Sequence, residues 1–243
     1  MSTLIRDYER FAKEAKEICK GRVYTDHLRR YAYGVDASCY SYLPKVVVKA
    51  EDEREVRRLI RLCQQCGTPF TFRAAGSSLS GQCSSEDVLI VCNDGFKKME
   101  VIDDGKALKC ECGVIGSDAN DLLKPYNRKI GPDPATLATA LVGGILNNNS
   151  SGMCCGTAQN SYKTIRSIRV VLLDGSILDT SDQKSIDQFL KEKPQMVEDL
   201  LQLRKEILAD EELTHLIHHK YKIKNTTGYG LNSLVDFEDI IDI

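Results

Sequence analysis

The chain has almost no net charge: 33 lysines and arginines against 35 aspartates and glutamates leave a formal value of −2. Without a basic footprint, a nucleic-acid partner has no support. Long apolar runs are also missing. The longest, such as Ile168 to Leu173, are strand-sized, and Met1-Ser2-Thr3-Leu4-Ile5-Arg6 is followed by charges where a signal peptide needs its apolar segment. A soluble, cytoplasmic protein without a transmembrane segment is expected. No lysine-serine/threonine phosphate-loop signature is present, and there are no internal repeats or low-complexity linkers. Histidine is scarce, with His27 alone near the start and His215, His218 and His219 grouped late in the chain. No cysteine or acidic ligand stands at a matching spacing, so surface placement is favoured over zinc.

The chain is rich in cysteine, with ten in 243 residues. They are scattered (Cys19, Cys39, Cys63, Cys66, Cys83, Cys92, Cys110, Cys112, Cys154 and Cys155) and follow no secretory signal, which argues for free thiols in a reducing compartment. Cys63-Gln64-Gln65-Cys66 has the spacing of a metal or redox pair, but no second pair follows it. No metal site is expected. A hydrophobic content of 42% over this length is enough to bury a core in one or two domains.

Residues 4–20 place Leu4, Ile5, Tyr8, Phe11, Ala12, Ala15 and Ile18 on one helical stripe. Lys45 to Lys49 reads as a β-branched strand. Glu51 to Cys66 reads as a helix stopped by Gly67, and Thr68 to Arg73 as a second strand. Val88 to Cys92, Met99 to Ile102 and Ala107 to Cys112 read as a meander. A helix through Leu123 follows, another starts near Gly143, and Ser167 to Leu173 pairs with Ser176 to Asp179 through Asp174-Gly175. The pattern from about 182 to 220 is charged and helical, as in a solvated insertion.

Two stretches carry the chemistry. Thr71-Phe72-Arg73-Ala74-Ala75-Gly76-Ser77-Ser78-Leu79-Ser80-Gly81 leaves a strand as a run of small residues, whose backbone can present successive N–H groups to an anion. Its hydroxyls add donors and Arg73 adds charge, which suits a pyrophosphate. The second stretch is Gly131-Pro132-Asp133-Pro134-Ala135-Thr136, followed by Leu141-Val142-Gly143-Gly144-Ile145-Leu146-Asn147-Asn148-Asn149-Ser150-Ser151-Gly152. So many small and polar residues are costly in backbone entropy unless the chain passes close to something.

Together these stretches resemble the cofactor loops of FAD-linked oxidases of the vanillyl-alcohol oxidase and p-cresol methylhydroxylase type, and more narrowly the D-lactate dehydrogenase, glycolate oxidase and D-2-hydroxyglutarate dehydrogenase flavoproteins. Tyr33-Gly34-Val35-Asp36-Ala37-Ser38, Val170-Val171-Leu172-Leu173-Asp174-Gly175 and Ile223-Lys224-Asn225-Thr226-Thr227-Gly228-Tyr229-Gly230-Leu231-Asn232 add to the likeness. It implies an α+β fold of the p-cresol methylhydroxylase type, in which two α/β subdomains hold FAD between them. The corresponding division is an N-terminal arm over 1–45, a first subdomain over 46–115 and a second over 116–243.

The resemblance further implies that Arg73, Ala74, Ala75, Gly76, Ser77, Ser78 and Gly81 hold the FAD phosphates. Pro132, Asp133, Thr136, Gly143, Gly144, Asn149 and Gly152 would lie along the flavin, with the backbone at Ile168 and Val170 toward the adenine. Two positions depart from the family pattern: Ala74 stands where the loop usually has glycine, and Ile145 where asparagine commonly follows the glycine pair. No histidine lies near Ser77 and Ser78, so noncovalent FAD is expected.

The implied reaction is oxidation of a D-2-hydroxy acid of the D-lactate, glycolate or 2-hydroxyglutarate class to the 2-oxo acid, with electrons passed on to an acceptor that could hold the protein at a membrane surface. No catalytic base is identified. The family's FAD domain closes with a glycine-serine-glutamate-glycine-threonine segment, expected where Asp239-Ile240-Ile241-Asp242-Ile243 ends the chain. A truncated domain is therefore expected, inactive without its substrate domain, with an exposed sheet edge that favours a homodimer. Gly152-Met153-Cys154-Cys155-Gly156-Thr157 resembles the long members fused to an iron–sulfur module, which would lie beyond residue 243. The alternatives are an oxidase of alditols or aromatic alcohols, a non-catalytic nucleotide-binding module, and a thiol or metal protein.

Overall fold

A computed structural model describes residues 6–224 and 230–243. Helices and strands form two compact units. One comprises Met1–Ile130, Pro134–Ile145 and Leu173–Ser176; the other comprises Gly131–Asp133, Leu146–Leu172 and Ile177–Ile243.

In the first unit, α1 (Tyr8–Ile18) starts at Asp7, whose carboxylate accepts the Arg10 N–H at 2.9 Å, and it buries Phe11, Ala12 and Ala15. The Leu4 and Ile5 end of the expected stripe lies outside the described residues. Next come β1 (Val23–Tyr24), α2 (His27–Ala32) and β2 (Val46–Lys49). Helix α3 (Glu53–Cys66) is capped by Asp52, which accepts the Glu55 N–H at 2.8 Å, and ends at Gly67 with φ +63°. Only a residue without a Cβ takes that left-handed turn cheaply. Strands β3 (Phe70–Arg73) and β4 (Val88–Val91) complete a four-stranded sheet in the order β1-β2-β4-β3.

β4 runs parallel to both of its neighbours, with Val46 opposite Val88 on one side and Phe70 opposite Val88 on the other. The expected meander is therefore corrected. Val88, Leu89, Ile90 and Val91 are all fully buried, as befits a central parallel strand covered on both faces, whose sequence reads as a continuous apolar run. Of the three strands expected in the meander, β5 (Met99–Ile102) and β6 (Ala107–Cys110) form an antiparallel hairpin, turning through Asp103, Asp104 and Gly105 at positive φ. α4 (Gly116–Leu123) and the start of α5 (Val142–Asn147) follow. α3 also grips the Leu173–Ser176 turn: Arg57 Nε donates to the Gly175 carbonyl at 2.7 Å and Gln64 Nε2 to the Leu173 carbonyl at 2.6 Å.

The second unit contains α6 (Ser161–Thr164) and the antiparallel pair β7 (Arg169–Val171) and β8 (Ile177–Asp179). The expected helical insertion consists of α7 (Gln183–Glu192), α8 (Pro194–Ala209) and α9 (Glu211–Tyr221), followed by α10 (Ser233–Asp236). Ile207, Ile217 and Leu234 bury one another where the last three meet. Asn225 to Tyr229, the middle of one resemblance-bearing stretch, lie outside the described residues. Among the described residues, no helix is long and apolar enough to cross a membrane.

Candidate cofactor site

The first loop begins where β3 ends. The Cys92 N–H donates to the Arg73 carbonyl at 2.9 Å, and because a trans peptide points its C=O and N–H in opposite directions, the Ala74 N–H is turned away from β4. Gly76 and Gly81 sit at φ +76° and +77°. Among the described residues, the consecutive N–H groups of Ala74, Ala75, Gly76 and Ser77 have no protein acceptor. Donors left open in series are what an anion nest requires.

The side chains around the loop hold its shape. Arg73 Nη1 donates to the Tyr33 carbonyl at 3.0 Å, and the guanidinium carbon lies 5.8 Å from the Tyr33 ring centre. The same guanidinium covers Gly76 so closely that a Cβ there would collide with Nη2. Ser78 Oγ donates to Gln82 Oε1 and accepts the Ser80 N–H, so this hydroxyl is committed inside the loop. A Cβ on Gly81 would lie 2.6 Å from the Tyr40 ring.

Part of the second stretch meets the first within this unit. A Cβ on Gly144 would stand 3.5 Å from the Ala74 Cβ, and the Gly143 N–H donates to the Cys112 carbonyl at 2.9 Å. Thr136 is exposed and its carbonyl accepts from Thr139 and Ala140.

The other predicted site residues, Pro132, Asp133, Asn149, Gly152, Ile168 and Val170, belong to the second unit. The Asp133 carboxylate accepts three backbone N–H groups, from Gly152 at 3.1 Å, Cys154 at 3.1 Å and Cys155 at 3.0 Å. The hydrogen bonds from Cys155, then those from Cys154, hold its pKa well below the usual carboxylate range. Asn149, at φ +43°, accepts the Tyr162 N–H at 3.1 Å, and the Tyr162 hydroxyl donates to Asp236 at 2.8 Å. The Ile168 carbonyl accepts the Thr180 N–H at 2.9 Å and the Ile168 N–H donates to Thr180 Oγ1 at 2.8 Å, and Val170 pairs with Leu178. This unit also has a cleft of about 390 Å³ lined by Asn149, Tyr162, His218, Asn232 and Asp236 among others.

Sequence residues 44–181, more than half of the chain, match the family described as "FAD binding domain". The chain belongs to that family. The FAD-binding domain is 28% identical over 164 residues to D-2-hydroxyglutarate dehydrogenase of Escherichia coli, covering 66% of this chain and 16% of that protein. It is 26% identical to the glycolate oxidase subunit GlcD of Bacillus subtilis, covering 65% and 34%, and 28% identical to D-lactate dehydrogenase of Archaeoglobus fulgidus, covering 55% and 30%. It thus spans between 16% and 34% of these relatives. Among solved structures, p-cresol methylhydroxylase with substrate bound superposes at a TM-score of 0.59 with 16% identity, over 71% of this chain and 35% of that one. Alkyldihydroxyacetonephosphate synthase gives 0.61 with 20% identity, over 74% and 37%. The fold is therefore of the p-cresol methylhydroxylase type, and the curated relatives are named as dehydrogenases and as a subunit of an oxidase.

The first unit fits FAD on its own chemistry: four open N–H groups, a cation at their entrance and a glycine backed against the loop. Sequence reasoning gave Tyr33 to Ser38 no role, although Tyr33 holds Arg73. It also passed over Cys112 as a backbone partner of Gly143. Among the described residues, no group of three or more histidines, cysteines and acids converges to hold a metal.

Proposed function

We propose that this chain is the flavin-binding part of a dehydrogenase that oxidises a D-2-hydroxy acid of the D-lactate, glycolate or 2-hydroxyglutarate class, and that it holds FAD without a covalent bond. The observation that carries the reading is the open donor series from Ala74 to Ser77. When bound, FAD supplies the acceptor for a hydride from the substrate α-carbon.

The residues of the chain bind and orient. Arg73 and the N–H groups of Ala74, Ala75, Gly76 and Ser77 neutralise the pyrophosphate, with Ser78 and Gly81 shaping the far side of the loop. Gly143 and Gly144 leave room for the ribityl chain and ring beside Ala74. Asp133 serves as a brace for Gly152, Cys154 and Cys155, and Asn149 as a brace for Tyr162. The substrate and the electron acceptor are those of the whole dehydrogenase, and no base is assigned.

Titration of the purified chain with FAD, followed by acid precipitation, tests this. Quenched flavin fluorescence with all flavin recovered in the acid supernatant supports the reading, whereas a folded chain that ignores FAD overturns it. Anaerobic bleaching of the full-length protein by D-lactate, glycolate or D-2-hydroxyglutarate then selects the substrate, and bleaching by none of them removes the hydroxy-acid assignment.

A further inference from the structure

The motif Tyr33 to Ser38 reaches the beginning, middle and end of the anion loop within six residues. At the beginning, the Tyr33 carbonyl accepts Arg73 Nη1 at 3.0 Å. In the middle, the Ala37 N–H donates to the Gly76 carbonyl at 3.1 Å. At the end, the Cys83 thiol donates to Asp36 Oδ2 at 3.2 Å. The other oxygen of Asp36 accepts the Ser38 N–H at 2.8 Å, a side-chain turn that fixes the backbone at Ala37.

The middle contact has a directional consequence. Gly76 C=O and Ser77 N–H belong to one trans peptide and point opposite ways. Holding the carbonyl toward Ala37 therefore aims the Ser77 N–H away from Ala37, on the side where it has no partner among the described residues. Gly76, at φ +76°, has no Cβ to fix that peptide by itself.

We infer that Asp36 is a positioning residue for the pyrophosphate: its side-chain turn presents Ala37 to Gly76, its bond to Cys83 ties down the far end of the loop, and together they set the Gly76–Ser77 peptide in the orientation that donates to a phosphate oxygen. This rests on the FAD reading. A carboxylate near an anion site would otherwise oppose binding, so its presence is explained by geometry and not by charge. Burial acts to raise the Asp36 pKa, but hydrogen bonds from Ser38 and Cys83 outweigh it and keep the group ionised. Burial, then Asp36 itself, raises the Cys83 pKa, so the thiol keeps the proton it donates.

The test compares wild type with Asp36→Ala, Asp36→Asn, Cys83→Ala and Cys83→Ser, using FAD, ADP and riboflavin as separate probes and thermal melting of the unliganded chain as the folding control. Asp36→Ala should weaken FAD and ADP alike by about tenfold, the scale of one lost charge-assisted hydrogen bond, and leave riboflavin unchanged. Asp36→Asn keeps the turn through its one amide oxygen, removes the negative charge and offers Cys83 a donor in place of an acceptor, so it should bind ADP within about threefold of wild type. Cys83→Ser should retain affinity while Cys83→Ala loses about threefold; this pair carries the test if Asp36→Ala does not fold. Wild-type ADP affinity in folded Asp36→Ala or in Cys83→Ala overturns the inference while leaving the FAD reading intact. Loss of riboflavin binding in step with ADP reduces Asp36 to a general structural role and overturns it too. A wild-type chain that melts cooperatively but binds no FAD overturns the FAD reading and this inference together.

Discussion

The stretches around Gly76 and Gly152 are both rich in small and polar residues, and they use their backbone donors in opposite ways. Around Gly76, four consecutive N–H groups are left open while the carbonyl side is tied to Cys92 and Ala37. Around Gly152, three N–H groups converge on the protein's own carboxylate, Asp133. An Asp133-type brace makes a turn independent of any ligand; an open series makes a turn that a ligand completes. Small residues therefore mark tight backbone, and the fate of the donors separates a turn braced by its own carboxylate from one with donors to offer.

The comparison breaks most readily at Gly152. A Cβ there would overlap the Asp133 carbonyl oxygen, a backbone atom with little room to retreat, and would lie 2.5 Å from Oδ1. Gly152→Ala should cost about 2–3 kcal/mol of folding stability, seen as a lower melting temperature with or without FAD. Gly76→Ala should behave differently. Its Cβ meets the Arg73 guanidinium, which can swing aside, so the folding cost is limited to about 1–2 kcal/mol of left-handed strain. The displaced Arg73 should then lower FAD affinity by about tenfold. Equal damage to stability at both sites, with FAD binding untouched by Gly76→Ala, would erase the distinction.

Acid separates the two stretches without mutation. The Asp133 pKa is depressed in the folded chain, so its stabilising effect is complete above the ordinary carboxylate value of 3.8, begins to fade as pH falls below that value, and is lost only as pH drops through the lower folded pKa. The wild-type chain should therefore lose stability more steeply below about pH 4 than Asp133→Asn does, on circular dichroism melts across pH. Parallel acid profiles for the two would remove Asp133 as the brace. Thiol reactivity reports on the same braced turn: Cys154 is exposed and Cys155 buried, so a thiol reagent should label Cys154 ahead of Cys155 in the folded chain.

Much of this was legible in the sequence. The stop at Gly67, the strand into Arg73 and the helices after residue 182 follow from local residue preferences and apolar spacing. The pairing of β4 was not legible in the same way, because a short continuous apolar run does not say whether its neighbours are parallel or antiparallel; the nearness of β5 and β6 in sequence suggested a meander. At the site, glycines and serines located the loops, but not which donors remain open. That depends on contacts between residues far apart in sequence, such as Asp36 with Cys83 and Ala37 with Gly76. Asp36-Ala37-Ser38 did contain a local clue, since an aspartate two residues before a backbone N–H commonly forms a side-chain turn.

The smallest expected change in stability sharpens the comparison furthest. A Cβ on Gly144 meets only the Ala74 Cβ at 3.5 Å, an ordinary contact, and the residue lies in α5. On protein contacts alone, Gly144→Ala should be neutral or stabilising by up to about 1 kcal/mol, because alanine loses less backbone entropy in a helix. If the flavin passes over the glycine pair, the added methyl takes up its space and FAD affinity falls while the unliganded melting temperature holds or rises. ADP, which lacks the flavin, should bind as before. That divergence between FAD and ADP would place the ring side of the cofactor at Gly144, and equal binding of both would keep the open loop as an anion site while removing Gly144 from the flavin path.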